Sequence, residues 1–124
     1  MFLFSSYKVK HEVKGNVLYV TYSGNIKKKQ MDAIMTKIYA WLYQYHLDKI
    51  LINALKSNVH LEMREIMEIA KTHPPIFKRA KTAVVEKEKK KAQYELYQTV
   101  TENNDVNLCF FNSIKEAEDW LAKH

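Results

Sequence analysis

The start of the chain alternates apolar and polar residues with the two-residue period of a strand. Residues 7–13, YKVKHEV, follow this pattern, and residues 17–23, VLYVTYS, are rich in the β-branched and aromatic residues that strands favour. The pair Gly15-Asn16 between them is typical of a tight turn. The pattern therefore predicts an antiparallel hairpin that Gly24 and Asn25 bring to an end.

Segments with a helical pattern then alternate with segments with a strand pattern along the chain. Apolar residues recur every three or four positions in predicted helices over residues 27–46, 59–72 and 88–102. Short apolar runs predict strands over residues 49–55, 81–86 and 106–111, and Pro74-Pro75 ends the second helix. The predicted inward positions are Met31, Ile34, Met35, Ile38, Trp41, Leu42 and Tyr45 on the first helix, Met63, Ile66, Met67 and Ala70 on the second, and Ala92, Leu96 and Val100 on the third.

The last nineteen residues contain the strongest architectural signal. The apolar run of residues 106–111 leads directly into a helix, and Ser113 stands three residues before Glu116, the spacing of a capping box. Ile114, Ala117, Trp120 and Leu121 give that helix one apolar face. The order ββαβαβαβα predicts an α/β fold with a mixed, mostly parallel five-stranded sheet and four helices, in one domain spanning residues 1–124.

Composition narrows the function classes. The net charge is +6, but only Arg64 and Arg79 are arginines, so nucleic-acid binding is not favoured. The single cysteine, Cys109, is interpreted as a small buried residue and suggests a reducing compartment. No segment has transmembrane length and no signal peptide is recognised, so a cytoplasmic location is expected.

Two segments and the order of elements resemble the STAS domain, the fold of bacterial anti-sigma factor antagonists. The segments are KTAVV at residues 81–85 and FFNSIKEAEDWL at residues 110–121, which are most similar to the SpoIIAA-like branch grouped with CRAL-TRIO lipid-transfer domains. Anti-sigma factor antagonists carry a phosphorylatable serine followed by glycine after the third strand. Here Ser57 is followed by Asn58, so the resemblance implies the fold without the standard phosphoserine switch.

Ligands of parallel sheets bind at the carboxyl ends of the strands. The residues predicted for this edge are Asn25, Lys27, Ser57, Asn58, His60, Lys87 and Asn112. Lysines 27–29 and 89–91 stand at helix starts, where they oppose the helix dipole. A bound anion would explain them, and ordinary solvated lysines are the alternative.

Methionine and tyrosine side chains suggest a second site. Met35, Tyr39, Met63 and Met67 are predicted to line an adaptable apolar pocket between helix and sheet. A partner-binding patch on the first helix and ordinary packing are the alternatives.

The sequence contains no catalytic triad, no paired carboxylates and no metal-ligand spacing among its histidines. We therefore expect no enzymatic activity, no metal and no cofactor. The first hypothesis is a binding module for a small apolar or amphiphilic, lipid-like ligand. The alternative is a regulatory protein-interaction domain without a standard phosphoserine switch. A homodimer is a further expectation that the sequence leaves open.

Overall fold

A single five-stranded sheet forms the centre of the computed structural model, which describes residues 7–123. The strands are β1 (Lys8–Lys14), β2 (Val17–Ile26), β3 (Lys49–Val59), β4 (Lys81–Val85) and β5 (Asn107–Phe111). Their order across the sheet equals their order along the chain. β1 is antiparallel to β2 and all later neighbours are parallel, which confirms the predicted mixed, mostly parallel sheet. The predicted domain limits, residues 1 and 124, lie outside the described residues.

Residues 7–123 contain five α-helices, one more than predicted. They are α1 (Lys28–Tyr45), α2 (Met63–Lys71), α3 (Pro75–Lys78), α4 (Lys91–Glu102) and α5 (Ile114–Ala122), with a 3₁₀ turn at Glu88–Lys90. The additional helix is α3. Pro74-Pro75 ends α2 as predicted, but Pro75 also stands in the first turn of α3, where its fixed φ angle is favourable.

The helices are distributed unequally over the two faces of the sheet. Successive right-handed crossovers between neighbouring parallel strands place α1, α2, α3 and α4 on one face. The larger apolar cluster lies there and includes Ile38, Ile69 and Phe77. On the other face α5 packs alone, through Ala117 and Leu121.

α1 buries most of the stripe that its sequence predicts. The buried residues are Met31, Ile34, Met35, Ile38 and Leu42. The helix ends at His46, whose φ of 55° lies in the left-handed region. The prediction that Tyr45 faces inward is wrong, because Tyr45 is exposed and its hydroxyl lies 3.1 Å from Nε2 of His11. Trp41 is half-buried and stacks on the His11 ring, with the centroids 3.9 Å apart.

β2 and β3 extend beyond their predicted ends. The parallel ladder continues from Ser23, opposite Lys56, to Ile26, opposite Val59, after a register shift. Gly24 has a φ of 87°, which a residue without Cβ adopts readily, so the strand continues through this position. Residues 56–58, between the predicted strand and the predicted helix, are therefore strand, and α2 begins at Met63 instead of residue 59.

α2 buries a different stripe from the predicted one. Ile66 and Ala70 are buried as predicted, together with Ile69, but Met63 and Met67 are 49% and 40% exposed. The stripe through Ile69 continues past the helix into the buried His73 and Phe77. A face that continues into further buried residues removes more apolar area from water, so it sets the orientation of the helix.

α4 also departs from its predicted face. Ala92 and Leu96 are exposed and Val100 is half-buried, whereas Tyr94 and Thr101 are buried. The Tyr94 ring stacks on Phe110 with centroids 4.7 Å apart and planes 7° apart. A tyrosine ring buries far more apolar surface than an alanine, so this contact determines the helix orientation.

α5 begins after Ser113 as predicted, with one of the two hydrogen bonds of a capping box. The Ser113 hydroxyl accepts a hydrogen bond of 3.2 Å from the Glu116 N–H group. At the other end, Nζ of Lys81 donates to the carbonyls of Trp120 and Lys123, at 2.6 and 2.8 Å. A lysine thus satisfies carbonyls that a helix end leaves unpaired.

The connection between α2 and α3 holds a buried histidine that sequence analysis did not single out. His73 is 4% exposed, stacks on Phe77 and shares a 2.7 Å hydrogen bond between its Nδ1 and the Tyr39 hydroxyl. Nε2 is buried without a partner among the described residues. Burial, with a smaller contribution from Lys78, lowers the pKa of His73 from 6.5 to about 4.

Stability should therefore fall with acidification below pH 6.5. The unfolded chain protonates His73 near its ordinary pKa of 6.5, whereas the folded chain resists protonation until about pH 4. Above pH 6.5 this difference adds about 3 kcal/mol to the free energy of unfolding. The contribution disappears as the pH falls towards 4. Urea denaturation at about pH 7 and about pH 4 measures it.

A His73→Phe variant should lose this part of the pH dependence, and the exposed His60→Phe should keep it. An unchanged pH dependence in His73→Phe would contradict the assignment.

Candidate functional site

The predicted site residues lie around the edge of the sheet at which β2, β3 and β4 end. The helices that follow these strands begin near the same edge. Some of the predicted residues contribute to a polar cluster, an open cleft and an apolar cavity, which adjoin one another: the cavity shares residues with the cleft and is also lined by Glu86 of the cluster.

The polar cluster around Glu86 contains three of the predicted residues, Ser57, Lys87 and Asn112. Ser57 lies within β3 opposite Gly24 and is fully buried, so it is not accessible at the ligand-binding edge for which it was predicted. Its hydroxyl donates to the Ala54 carbonyl at 2.7 Å. Nζ of Lys87 donates to the Ser57 carbonyl at 2.5 Å and lies 3.7 Å from the Glu86 carboxylate. Ser57 and Lys87 do meet, but their polar atoms already bond within the protein.

Glu86 is a buried carboxylate that sequence analysis did not include in the site. It is 6% exposed, and its Oε1 accepts a 2.8 Å hydrogen bond from the Lys87 N–H group. The Asn112 amide donates to the Glu86 carbonyl at 3.0 Å and lies 3.2 Å from the Tyr94 hydroxyl. Asn112 therefore joins β4 to α4. The only sequence signal for Glu86 was a charged residue directly after an apolar strand.

Lys27 and His60 line an open cleft, which they share with Glu62, Glu65, Lys90 and Gln93. The positive charges of two lysines and the negative charges of two glutamates cancel there, so the cleft is not a purely positive site for an anion. Asn25 and Asn58 are exposed and oppose each other across β2 and β3.

The six lysines at helix starts converge only in part. Lys27 and Lys90 line the cleft together. Lys28 instead contacts Asp32 at 2.9 Å and Glu68 at 4.0 Å. Its hydrogen bond with Asp32 raises the pKa of Lys28. The other three, Lys29, Lys89 and Lys91, are exposed.

An apolar cavity of about 70 Å³ adjoins the cleft, between the helices and the sheet. Its lining includes Tyr22, Met31, Met35, Ile52, Ala54, Phe77, Tyr94, Tyr97, Leu108 and Phe110. Val59, Leu61, Lys90 and Gln93 line both the cavity and the cleft. The cavity thus has an apolar interior next to a polar entrance.

Of the four residues predicted for an apolar pocket, Met35 lines this cavity. Tyr39 does not line it and bonds instead with His73. Met63 and Met67 point outward from α2, so their predicted place in an interior pocket is wrong. Tyrosines of β2 and α4 line the cavity in their place. Helical periodicity alone did not predict these tyrosines as pocket residues.

Two tyrosines give the cavity wall neutral polar groups. Burial raises the pKa of Tyr22 and of Tyr97 well above the ordinary value for tyrosine. Both therefore stay protonated at physiological pH. They can donate or accept a hydrogen bond but cannot act as bases.

The chemistry available elsewhere is limited. Burial raises the pKa of the half-buried Cys109 thiol, which disfavours a reactive thiolate. Within residues 7–123, no cluster of three or more His, Cys, Asp or Glu side chains could bind a metal ion. No helix in this range has the length and hydrophobicity to cross a membrane.

The outer side of α2 carries an exposed apolar surface. Met63 and Met67 lie there, one helical turn apart, and Arg64, Glu68 and Lys71 surround them in a shallow groove. We call these five residues the α2 methionine patch.

Comparisons with known proteins concern the fold. No protein-family model matches the chain, and no curated protein matches it in sequence. Among solved structures, it is similar to an anti-sigma factor antagonist from Mycobacterium paratuberculosis, with a TM-score of 0.70 and 15% identity. That match covers 99% of this chain and 100% of the other.

Two further solved structures are similar to the chain in fold. One is an uncharacterized protein with a SpoIIAA-like fold from Shewanella loihica, with a TM-score of 0.62, 14% identity and 98% coverage of both chains. The other is the Bacillus cell fate determinant SpoIIAA in its phosphorylated form, with a TM-score of 0.51 and 13% identity. This match covers 93% of the present chain and 98% of SpoIIAA. The chain therefore has the SpoIIAA-like fold of STAS domains, as its sequence resemblance predicted.

Proposed function

We propose that this chain is a regulatory protein-interaction domain that binds its partner through the α2 methionine patch. The observation that carries the proposal is the exposure of Met63 and Met67 side by side on α2. Methionine side chains are flexible and polarizable, so they adapt to a partner surface. Arg64, Glu68 and Lys71 supply the polar rim that protein interfaces typically have.

The similarity to an anti-sigma factor antagonist supports a protein partner over a substrate. So does the site itself. The polar groups of Ser57, Lys87 and Asn112 bond with other groups of the chain, which leaves little for catalysis.

The proposed regulation does not use a phosphoserine at Ser57. The Ser57 side chain is fully buried inside β3 and bonds to the Ala54 carbonyl. A phosphate there would place about two negative charges in the interior unless the end of β3 opened. Control of this domain therefore has to act elsewhere, for instance on the partner.

The partner should crosslink to the methionine patch in cells. A photoreactive amino acid at Met67 should form a discrete adduct with one protein, which mass spectrometry can identify. The same amino acid at Lys115, on the highly exposed face of α5, serves as control and should not give that adduct. Identical adducts at both positions, or none at Met67, would contradict the proposed surface.

A phosphomimetic substitution should damage the fold. Ser57→Asp should lower the free energy of unfolding by about 3 kcal/mol or more, because it buries a charge beside the backbone. Ser57→Ala should cost only about 1 kcal/mol, the value of a lost hydrogen bond. Asn58→Asp, at the exposed neighbouring position, is the matched control and should have a small effect. A Ser57→Asp variant as stable as Asn58→Asp would refute the buried role of Ser57.

The cavity favours a second candidate function, the binding of a small apolar or amphiphilic ligand. Its apolar interior adjoins a cleft with Lys27 and Lys90, so an anionic head group could stay at the entrance. At about 70 Å³ the interior is about half the size of a 150 Å³ cavity that accommodates benzene. A short chain or a small ring fits this space better than a long lipid chain.

Methionine methyl groups can test this candidate inside one molecule. Met31 and Met35 line the cavity, whereas Met63 and Met67 are on the surface. Titration with hexanoate should shift the methyl NMR signals of Met31 and Met35 in a saturable way. Signals that move only at Met63 and Met67, or nowhere, would count against a ligand in the cavity.

A further inference from the structure

β1 forms one edge of the sheet and is exposed along nearly its whole length. Six of its seven residues are exposed, and Val9 alone is half-buried. Its neighbour is β2, and no other strand within residues 7–123 pairs with it. An edge of this kind presents a row of backbone N–H and C=O groups to an incoming strand.

The hairpin geometry determines which groups point outward. Lys14 pairs with Val17 across a two-residue turn whose first residue, Gly15, has a φ of 60°. In such a hairpin the residues beside the turn share hydrogen bonds, and every second pair does the same. Lys8, Lys10, Glu12 and Lys14 therefore bond to β2. The backbone groups of Val9, His11 and Val13 face away from it.

The two faces of this edge differ in chemistry. The side chains of Lys8, Lys10, Glu12 and Lys14 lie on the face of the sheet on which α5 packs, and they sum to a charge of +2. Lys14 lies 3.7 Å from Glu12, and Glu118 of α5 lines the same groove, where its carboxylate accepts a hydrogen bond from Tyr19. On the α1 side stand Val9, His11 and Val13, where His11 stacks on Trp41 and Tyr45 lies beside it. One face is thus cationic, and the other is apolar and aromatic.

The opposite edge of the sheet is less accessible. In β5, the Phe110 N–H group donates to Oε1 of the Gln98 side chain at 3.1 Å. A side chain of α4 thus occupies a backbone donor on that edge. The two edges are consequently not equivalent as docking places.

We propose that β1 is a docking edge for an extended segment of another protein in which acidic residues alternate with apolar ones. Such a segment would add a sixth strand to the sheet. Its acidic side chains would lie beside Lys8, Lys10 and Lys14, and its apolar side chains would extend the surface of Val9, His11 and Val13. Opposite charges and apolar pairs across neighbouring strands each stabilise a sheet.

A second copy of the chain is a poorer occupant than an acidic segment. Self-pairing through β1 would bring together two strands with a charge of +2 each, in molecules that each carry +6. Lysines on an edge strand typically oppose this kind of self-association. An acidic segment meets no such repulsion.

The test uses a capped seven-residue peptide that alternates glutamate and valine. It should bind and slow the hydrogen exchange of the Val9, His11 and Val13 amides, as NMR can measure. A peptide of the same composition with its glutamates and valines in separate blocks should bind at least tenfold more weakly. N-methylation of the peptide amides that face β1 should abolish binding, whereas methylation of the alternate amides should not.

Two variants of the protein complete the test. His11→Pro removes an N–H group that faces away from β2, so the hairpin should persist while peptide affinity falls at least tenfold. Lys10→Glu should weaken binding more than Lys89→Glu, which makes the same charge change at an exposed residue of the 3₁₀ turn. If His11→Pro does not fold, the N-methylated peptides still decide the question.

Several results would overturn the proposal. They are the absence of binding by the alternating peptide, an equal affinity of the block peptide, and an affinity that N-methylation of the amides facing β1 does not change. A dimer in sedimentation experiments that His11→Pro dissolves would assign the edge to a second copy. Because the methionine patch is a different surface, its crosslinking result is independent of this outcome.

Discussion

The parallel ladder between β2 and β3 extends six residues past the last residue of β3 that pairs with β4. β4 ends at Val85, opposite Asn53, whereas β3 continues with β2 as far as Val59. The sheet therefore narrows at its carboxyl edge. The hydrogen bonds of Lys87 and Asn112 lie at this narrowing, beyond the end of β4.

Lys87 shows how side chains bond at this edge. Its Nζ donates to the Ser57 carbonyl, on the part of β3 beyond the end of β4. Glu86 and Asn112 complete a set of hydrogen bonds that satisfies the buried polar groups of this edge. The aromatic rings of Tyr94 and Phe110 fill part of the remaining space, and the cavity is what they leave open. A site built in this way stabilises the edge and leaves binding to the cleft, the cavity and the outer surface of α2.

The sequence was sufficient to predict the order of elements apart from α3, the sheet type and the resemblance to STAS domains. Long periodic segments such as α1 and the Ser113 cap are local features, so they could be predicted from residues near in sequence. The length of β3 could not be predicted in this way. Lys56 and Asn58 are polar residues typical of loops, and they are strand residues only because β2 pairs with them. The orientation of α2 and α4 depends on distant partners, Phe77 and Phe110, for the same reason. Met35, on the long periodic α1, lines the cavity, whereas Met67, on α2, is exposed.

The distribution of charge explains why a lysine-rich chain need not bind anions at random. Several lysines have an acidic neighbour: Lys28 contacts Asp32, Lys87 lies near Glu86, and Lys115 contacts Asp119. In the cleft, Lys27 and Lys90 are balanced by two glutamates. In β1, Lys14 lies 3.7 Å from Glu12, and the seven residues still sum to +2 of the total +6 with that single glutamate among them. The excess positive charge thus lies partly on an unpaired strand edge, where it opposes self-association and leaves the strand available to an oppositely charged chain.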